Sequence, residues 1–137
     1  MLSFEFWIDE MKENLIQKRS FAFSLNIIKL YQKLQANKEF VISKQLLRCG
    51  TSIGANIVEA TAAQSKKDFL SKMSIASKEA RETKYWLRLL NESDLVKISL
   101  ESYLTEIDEI INILTKIVKT TARNFETKKK WIFNAHD

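Results

Sequence analysis

Glu106 and Glu109 stand three residues apart, with Asp108 between them and Glu101 a turn or so earlier. Carboxylates at helical spacing can share a proton or hold a cation. Here they fall mostly on the solvent side of an amphipathic stretch, so a solvated helix face competes with a carboxylate site. The other ingredients of catalysis are sparse. The only histidine is His136, next to the last residue, so histidine-based acid–base, triad and zinc chemistry lacks its central group. The single Cys49 excludes an intramolecular disulfide and any cysteine cluster, and its apolar helix face marks it as an inert core thiol. No Glu-x-x-His pair of a di-iron bundle and no glycine-rich phosphate loop occurs. No catalytic residue, metal site or cofactor is assigned, and no enzymatic activity is expected.

Charge offers more. Arg81, Lys84 and Arg88 recur along one side of a helical stretch that begins with Lys66 and Lys67. Such a stripe can track a phosphate backbone. It can equally be a solubilising face paired with neighbours such as Glu79 and Glu82. The segment ETKKKWIF, 126–133, places Lys128, Lys129 and Lys130 beside aromatics, suited either to a nucleic acid or to packing back on the fold. The net charge is +5, with acids concentrated in residues 1–15 and bases in 116–131. That is a modest attraction for polyanions, which repetition around an oligomer axis would strengthen.

The elements that must carry these residues are helices. A chain of 137 residues makes one domain, and two glycines with no proline leave little material for β turns. Apolar residues recur at alternating four and three in Phe69, Met73, Ala76, Ala80, Thr83, Leu87 and Leu90. They do so again in Leu100, Leu104, Ile107, Ile111, Leu114, Val118, Thr121 and Phe125. Phe23, Ile27, Leu30 and Leu34 mark an earlier helix, and Leu46, Cys49, Ile53, Ile57 and Ala60 another. Asn37 is expected to end the first, with Ser43, Ser65 and Ser99 capping the other three. Short connections make neighbours antiparallel, so the fold expected is an all-α, up-down-up-down four-helix bundle. Residues 1–14, with Phe4, Trp7, Ile8 and Met11, read as an amphipathic extension continuing towards Leu15, and 126–137 as a basic tail that frays. No apolar run reaches a membrane span, and the acidic amino terminus does not resemble a signal peptide, which favours the cytoplasm.

Gly50 and Gly54 are the only glycines, and both fall inside a helix, where each costs up to about 1 kcal/mol relative to alanine. A groove free of side chains, into which another helix sinks, compensates. Because a lone bundle needs one apolar face per helix, that second contact points to another copy of the chain. Ile75, Tyr85, Trp86 and Leu89 lie outside the third helix's seam and form either an interface or a flank covered by the N-terminal segment. Asn56 and Glu59 read as a polar pair that fixes helix register, with a ligand site as the alternative.

Several of these pieces fall in order at the spacing of a known family. They are Ser43–Leu47, the run Thr51–Ile57 with Glu59, Ser65–Phe69, Glu79–Thr83 and Tyr85–Leu87. Over roughly residues 15–122 the chain resembles the bacterial four helix bundle proteins encoded in 23S rRNA intervening sequences. These are related to the accessory variability determinant (Avd) proteins of diversity-generating retroelements. The resemblance implies a ring-shaped homopentamer of antiparallel bundles without enzymatic activity, and through the Avd relatives a nucleic acid, RNA or DNA, and a reverse-transcriptase-like protein as partners. It also implies that Gly54, Asn56 and Glu59 belong to the family's helix-packing motif, and Arg81, Tyr85 and Trp86 to its third helix. Two functions follow: an RNA-binding accessory protein acting through a basic surface, or a protein interaction scaffold with no nucleic-acid role.

Overall fold

The structure, a computed structural model, describes residues 4–135, with the side chains of 4–6, 128, 129, 132, 133 and 135 outside the description. Four helices account for almost all of it: α1 (Phe4–Ala36), α2 (Ile42–Thr61), α3 (Lys66–Ser93) and α4 (Glu101–Ala135). Each helix packs on its chain neighbours and α1 closes onto α4, while among the described residues α1 does not reach α3 and α2 does not reach α4. That cyclic order is the four-helix bundle expected. The N-terminal stretch extends the first helix, since α1 runs unbroken from Phe4, and α4 continues into the basic tail as far as Ala135. No helix among the described residues is long and apolar enough to cross a membrane.

The core follows the apolar spacing, with one rotation. Phe23, Ile27, Leu30 and Leu34 of α1 are buried, joined by Ile16. On α4 the deepest positions are Ile107, Ile110, Leu114 and Ile117, preceded by the buried Leu100, whereas Leu104, Ile111 and Val118 are half-buried beside them. A helix packed against two neighbours buries a stripe wider than a heptad seam, and its centre moves towards the side the two partners share. Cys49 is fully buried, and burial pushes its thiol up to about 11, so it stays an unreactive core group.

The turns are built without glycine. Asn37 ends α1, its side-chain amide donating to the Lys33 carbonyl, and Lys38 takes the left-handed conformation at φ 63°. Backbone bonds from Lys38 to the Gln35 carbonyl and from Glu39 to the Leu34 carbonyl complete a Schellman ending. Ser65 caps α3 as the sequence predicts, accepting from the Asp68 N–H at 3.0 Å. Ser43 and Ser99 do not cap. Helix α4 starts after Leu100, whose carbonyl accepts from Leu104 N–H, so Ser99 lies outside the first turn. Ser43 sits inside α2, fully buried, donating to the Glu39 carbonyl and accepting from Gln35.

Glu39 does the capping instead. Its carboxylate accepts from the N–H groups of Val41, Ile42 and Ser43 at 3.1, 2.9 and 2.6 Å. Burial alone would raise its pKa, but the bonds from Ile42, Ser43 and Val41 outweigh burial and hold the carboxyl below the usual value near 4.5. The stability this contributes is present above pH 4.5 and is lost as pH falls through the lowered pKa. Glu39→Ala should destabilise the fold by about 2 kcal/mol at neutral pH, since it orphans helix N–H groups at a buried end. In urea melts the gap between variant and wild type should shrink once the pH is well below 4.5; an unchanged gap would remove the carboxylate's role.

Candidate interaction surfaces

The two glycines are used within the chain. A Cβ on Gly50 would stand 3.0 Å from two side-chain carbons of Ile27, and one on Gly54 would stand 3.5 Å from the Ser20 carbonyl and the hydroxyls of Ser20 and Ser24. Helix α1 therefore fills the smooth groove of α2, using its small residues Ser20 and Ser24 where the helices come close. Ser20 is buried at this crossing, and the Ser24 hydroxyl donates back to the Ser20 carbonyl at 2.9 Å. The groove expected to receive a second copy is already occupied. The physical reason is that α2 packs against both α1 and α3, so its apolar face is wider than one seam.

Asn56 and Glu59 do not pair with each other. Asn56 donates to the carbonyl and hydroxyl of Ser52 within α2, while Glu59 reaches Lys72 of α3 at 3.1 Å. Three of the α4 carboxylates, Glu106, Asp108 and Glu109, are also paired with cations. Glu106 and Glu109 both meet Arg19 of α1, which ties α1 to α4 where those two helices pack. Asp108 holds Lys84 at 2.7 Å. Glu79 and Glu82 are bridged by Arg48 of α2 rather than by the α3 stripe. Among the described residues, no group of three or more His, Cys, Asp or Glu side chains could hold a metal ion.

The basic stripe of α3 is thus partly neutralised, at Lys84 and Arg88. Arg81 donates to Thr115 of α4 at 3.3 Å, Lys84 is paired with Asp108, and Arg88 is paired with Glu92 of its own helix. Pairs this exposed contribute little stability, but they do lower the field available to a polyanion. Lys66 and Lys67, at the start of α3, remain exposed, as does Lys130. Lys128 and Lys129 have side chains outside the described residues, and His136 lies outside them altogether.

The apolar group on α3 is half open. Tyr85 is 58% exposed, Ile75 and Leu89 less so, and Trp86 is half-buried against the core with Tyr85 packed edge-on at 5.1 Å. The flank reading does not hold, because α1 makes no contact with α3 among the described residues. The Trp86 indole N–H is buried without an acceptor.

A larger apolar face was not anticipated. The outer side of α1 exposes Trp7, Met11, Leu15, Phe21, Leu25 and Ile28, each by at least 42%. At about 100° per residue these six fall within roughly 140° of one another, opposite the buried Ile16, Phe23, Ile27 and Leu30, in an arc that also carries the exposed Glu10, Asn14 and Lys18. Helix α1 is therefore apolar on both sides, and that doubled pattern is the sequence signal that could have disclosed the face.

A model of the 23S rRNA-intervening sequence protein family matches residues 12–116. The chain belongs to that family. A crystal structure from the S23 ribosomal protein family of Bacteroides thetaiotaomicron, described as a protein with unknown function, is similar to it. The two share 47% identity, with a TM-score of 0.75, over 79% of this chain and 98% of the other. A comparison with curated proteins gives no match. The family match includes Leu15, Phe21, Leu25 and Ile28 of the outer face of α1, both glycines, Lys66 and Lys67. Trp7, Met11 and Lys128–Lys130 fall outside it.

Proposed function

We propose that this intervening-sequence protein is a non-enzymatic helical bundle that assembles with copies of itself through the outer face of α1 and serves as an RNA-binding accessory protein. The observation that carries the reading is the apolar stripe from Trp7 to Ile28. It is about 32 Å long at 1.5 Å per residue, too long and too convex for a small ligand, which needs a concave site. From their fractional exposures the six side chains leave on the order of 700 Å² open, close to the roughly 800 Å² per partner of a stable protein interface. A second copy fits a face of that length because it offers an equal rod. Resemblance to the Avd proteins sets five as the expected number of copies, and a reverse-transcriptase-like protein as a partner class.

The RNA half of the reading rests on exposed cations at one end of the bundle. Lys66 of α3, followed by the exposed Lys67, lies there with the half-exposed Lys12 of α1 and Lys116 of α4, beside Asp9, Glu10 and Glu13 of α1, and assembly would multiply the cations. Structured RNA should be retarded in gels at micromolar protein and low salt, with affinity falling by tenfold or more between 50 and 200 mM salt. Lys66→Glu with Lys67→Glu should weaken it further without moving the melting temperature. Absence of retardation by wild type would remove the RNA role and leave the assembly.

A scaffold role is favoured by one feature, the half-open group around the unpartnered Trp86 indole. Trp86→Ala would release a protein partner held there while the bundle stays folded.

A further inference from the structure

Helix α2 has 20 residues, against 33 in α1 and 35 in α4, so the bundle lacks its fourth wall at one end. A cleft of about 590 Å³ opens there, between the first part of α1, the α2–α3 connection, the start of α3 and the later part of α4. The inward positions change character at this level. Ile16 on α1 is succeeded at the same spacing by Glu13 and Asp9, and Ile117 on α4 by Thr121 and Asn124, all of which line the cleft.

The acids of the cleft, Asp9, Glu10 and Glu13, all come from α1, which also supplies Lys12, whereas the α3 and α4 walls supply Lys66 and Lys116 and no acid. Among the described residues none of these six is ion-paired. Burial, then Asp9 and Glu10, push the Glu13 carboxyl up, so a ligand offering hydrogen-bond donors would relieve it. Phe69, half-buried, adds an aromatic ring to the lining.

Resting on the RNA reading above, we propose that this cleft holds one unstacked guanine nucleotide of the bound strand. An ionised carboxylate only accepts, and guanine presents two adjacent donors, N1–H and N2–H, on one edge. The α1 wall matches that edge, and Lys66 and Lys116 match the phosphate at the other end. Single-stranded RNA is commonly read in this way, by splayed bases stacked on aromatic rings and bonded at their edges. Uracil offers one donor between two acceptors, which the α1 carboxylates repel.

Calorimetry on the full chain with GMP, UMP and inorganic phosphate tests this. GMP should bind at least tenfold tighter than UMP or phosphate, and Glu13→Gln should abolish the preference. Thr121→Phe, which fills the cleft, should abolish GMP binding, with circular dichroism checking the fold. Glu13→Gln removes a half-buried carboxylate and keeps the size of the side chain, so it remains informative if the phenylalanine variant misfolds. Equal affinity for GMP and phosphate, or retardation of RNA by wild type with no GMP binding, would overturn the nucleotide site and leave the RNA reading standing. Loss of RNA retardation by wild type would overturn both.

Discussion

Phe21→Glu combined with Leu25→Glu should yield a folded monomer. Both side chains sit on the outer face of α1, 68% and 47% exposed, so the bundle loses little when they change. An assembly that buries them loses about 1.5–3 kcal/mol for each apolar side chain. It must also bring two carboxylates per copy into a dry contact, which costs several kcal/mol more. Together these weaken each contact at least a thousandfold, since every 1.4 kcal/mol is a factor of ten. Light scattering should show the wild-type mass collapsing to a single chain, with helical content and melting temperature near those of the unassembled wild type. Tyr85→Glu with Leu89→Glu is the control, since it charges the smaller α3 group instead. If the α3 pair dissociates the protein and the α1 pair does not, the interface has been assigned to the wrong helix. If wild type is already a monomer, the outer face of α1 has no second copy to meet.

Gly50 and Gly54 should respond in opposite directions, although both are helical glycines four residues apart. A leucine at Gly50 places its Cβ 3.0 Å from Ile27, a fully buried side chain, with further carbons beyond it. Helices α1 and α2 must then separate, at a cost of about 3 kcal/mol or more. Alanine at Gly54 meets Ser20 and Ser24 at 3.5 Å, an ordinary contact, and recovers part of the roughly 1 kcal/mol that glycine loses in a helix. Urea melts should therefore show Gly50→Leu strongly destabilised and Gly54→Ala about 0.5 kcal/mol more stable than wild type. Equal losses at both positions would mean that α1 lies nearer to Gly54 than the structure places it.

The differences between expectation and structure have common causes. Sequence spacing found Phe23, Ile27, Leu30 and Leu34 because one face of α1 repeats cleanly, but Trp7, Met11 and Leu15 looked like an extension. A helix that is apolar on two opposite sides yields no preferred direction, so only packing on α2 and α4 shows which face is left over. The basic stripe Arg81, Lys84 and Arg88 is legible as a stripe, yet its partners on α4 are not. Arg81 and Lys84 are answered by Thr115 and Asp108, residues more than twenty positions away in sequence. Local preference likewise nominated Ser43 as a cap, whereas the carboxylate of Glu39 sits closer to the open N–H groups and carries more charge.

By itself the sequence determined the helices, their antiparallel order, the Ser65 cap, the buried state of Cys49 and the family, because each depends on short-range spacing or on residues read in order. Tertiary structure alone decided that α1 rather than a second copy fills the glycine groove, that α1 keeps a bare outer face, and that α2 stops short and opens a cleft. Those outcomes depend on which faces meet and where helices of unequal length end. Nothing local in a chain encodes that until the helices are laid side by side.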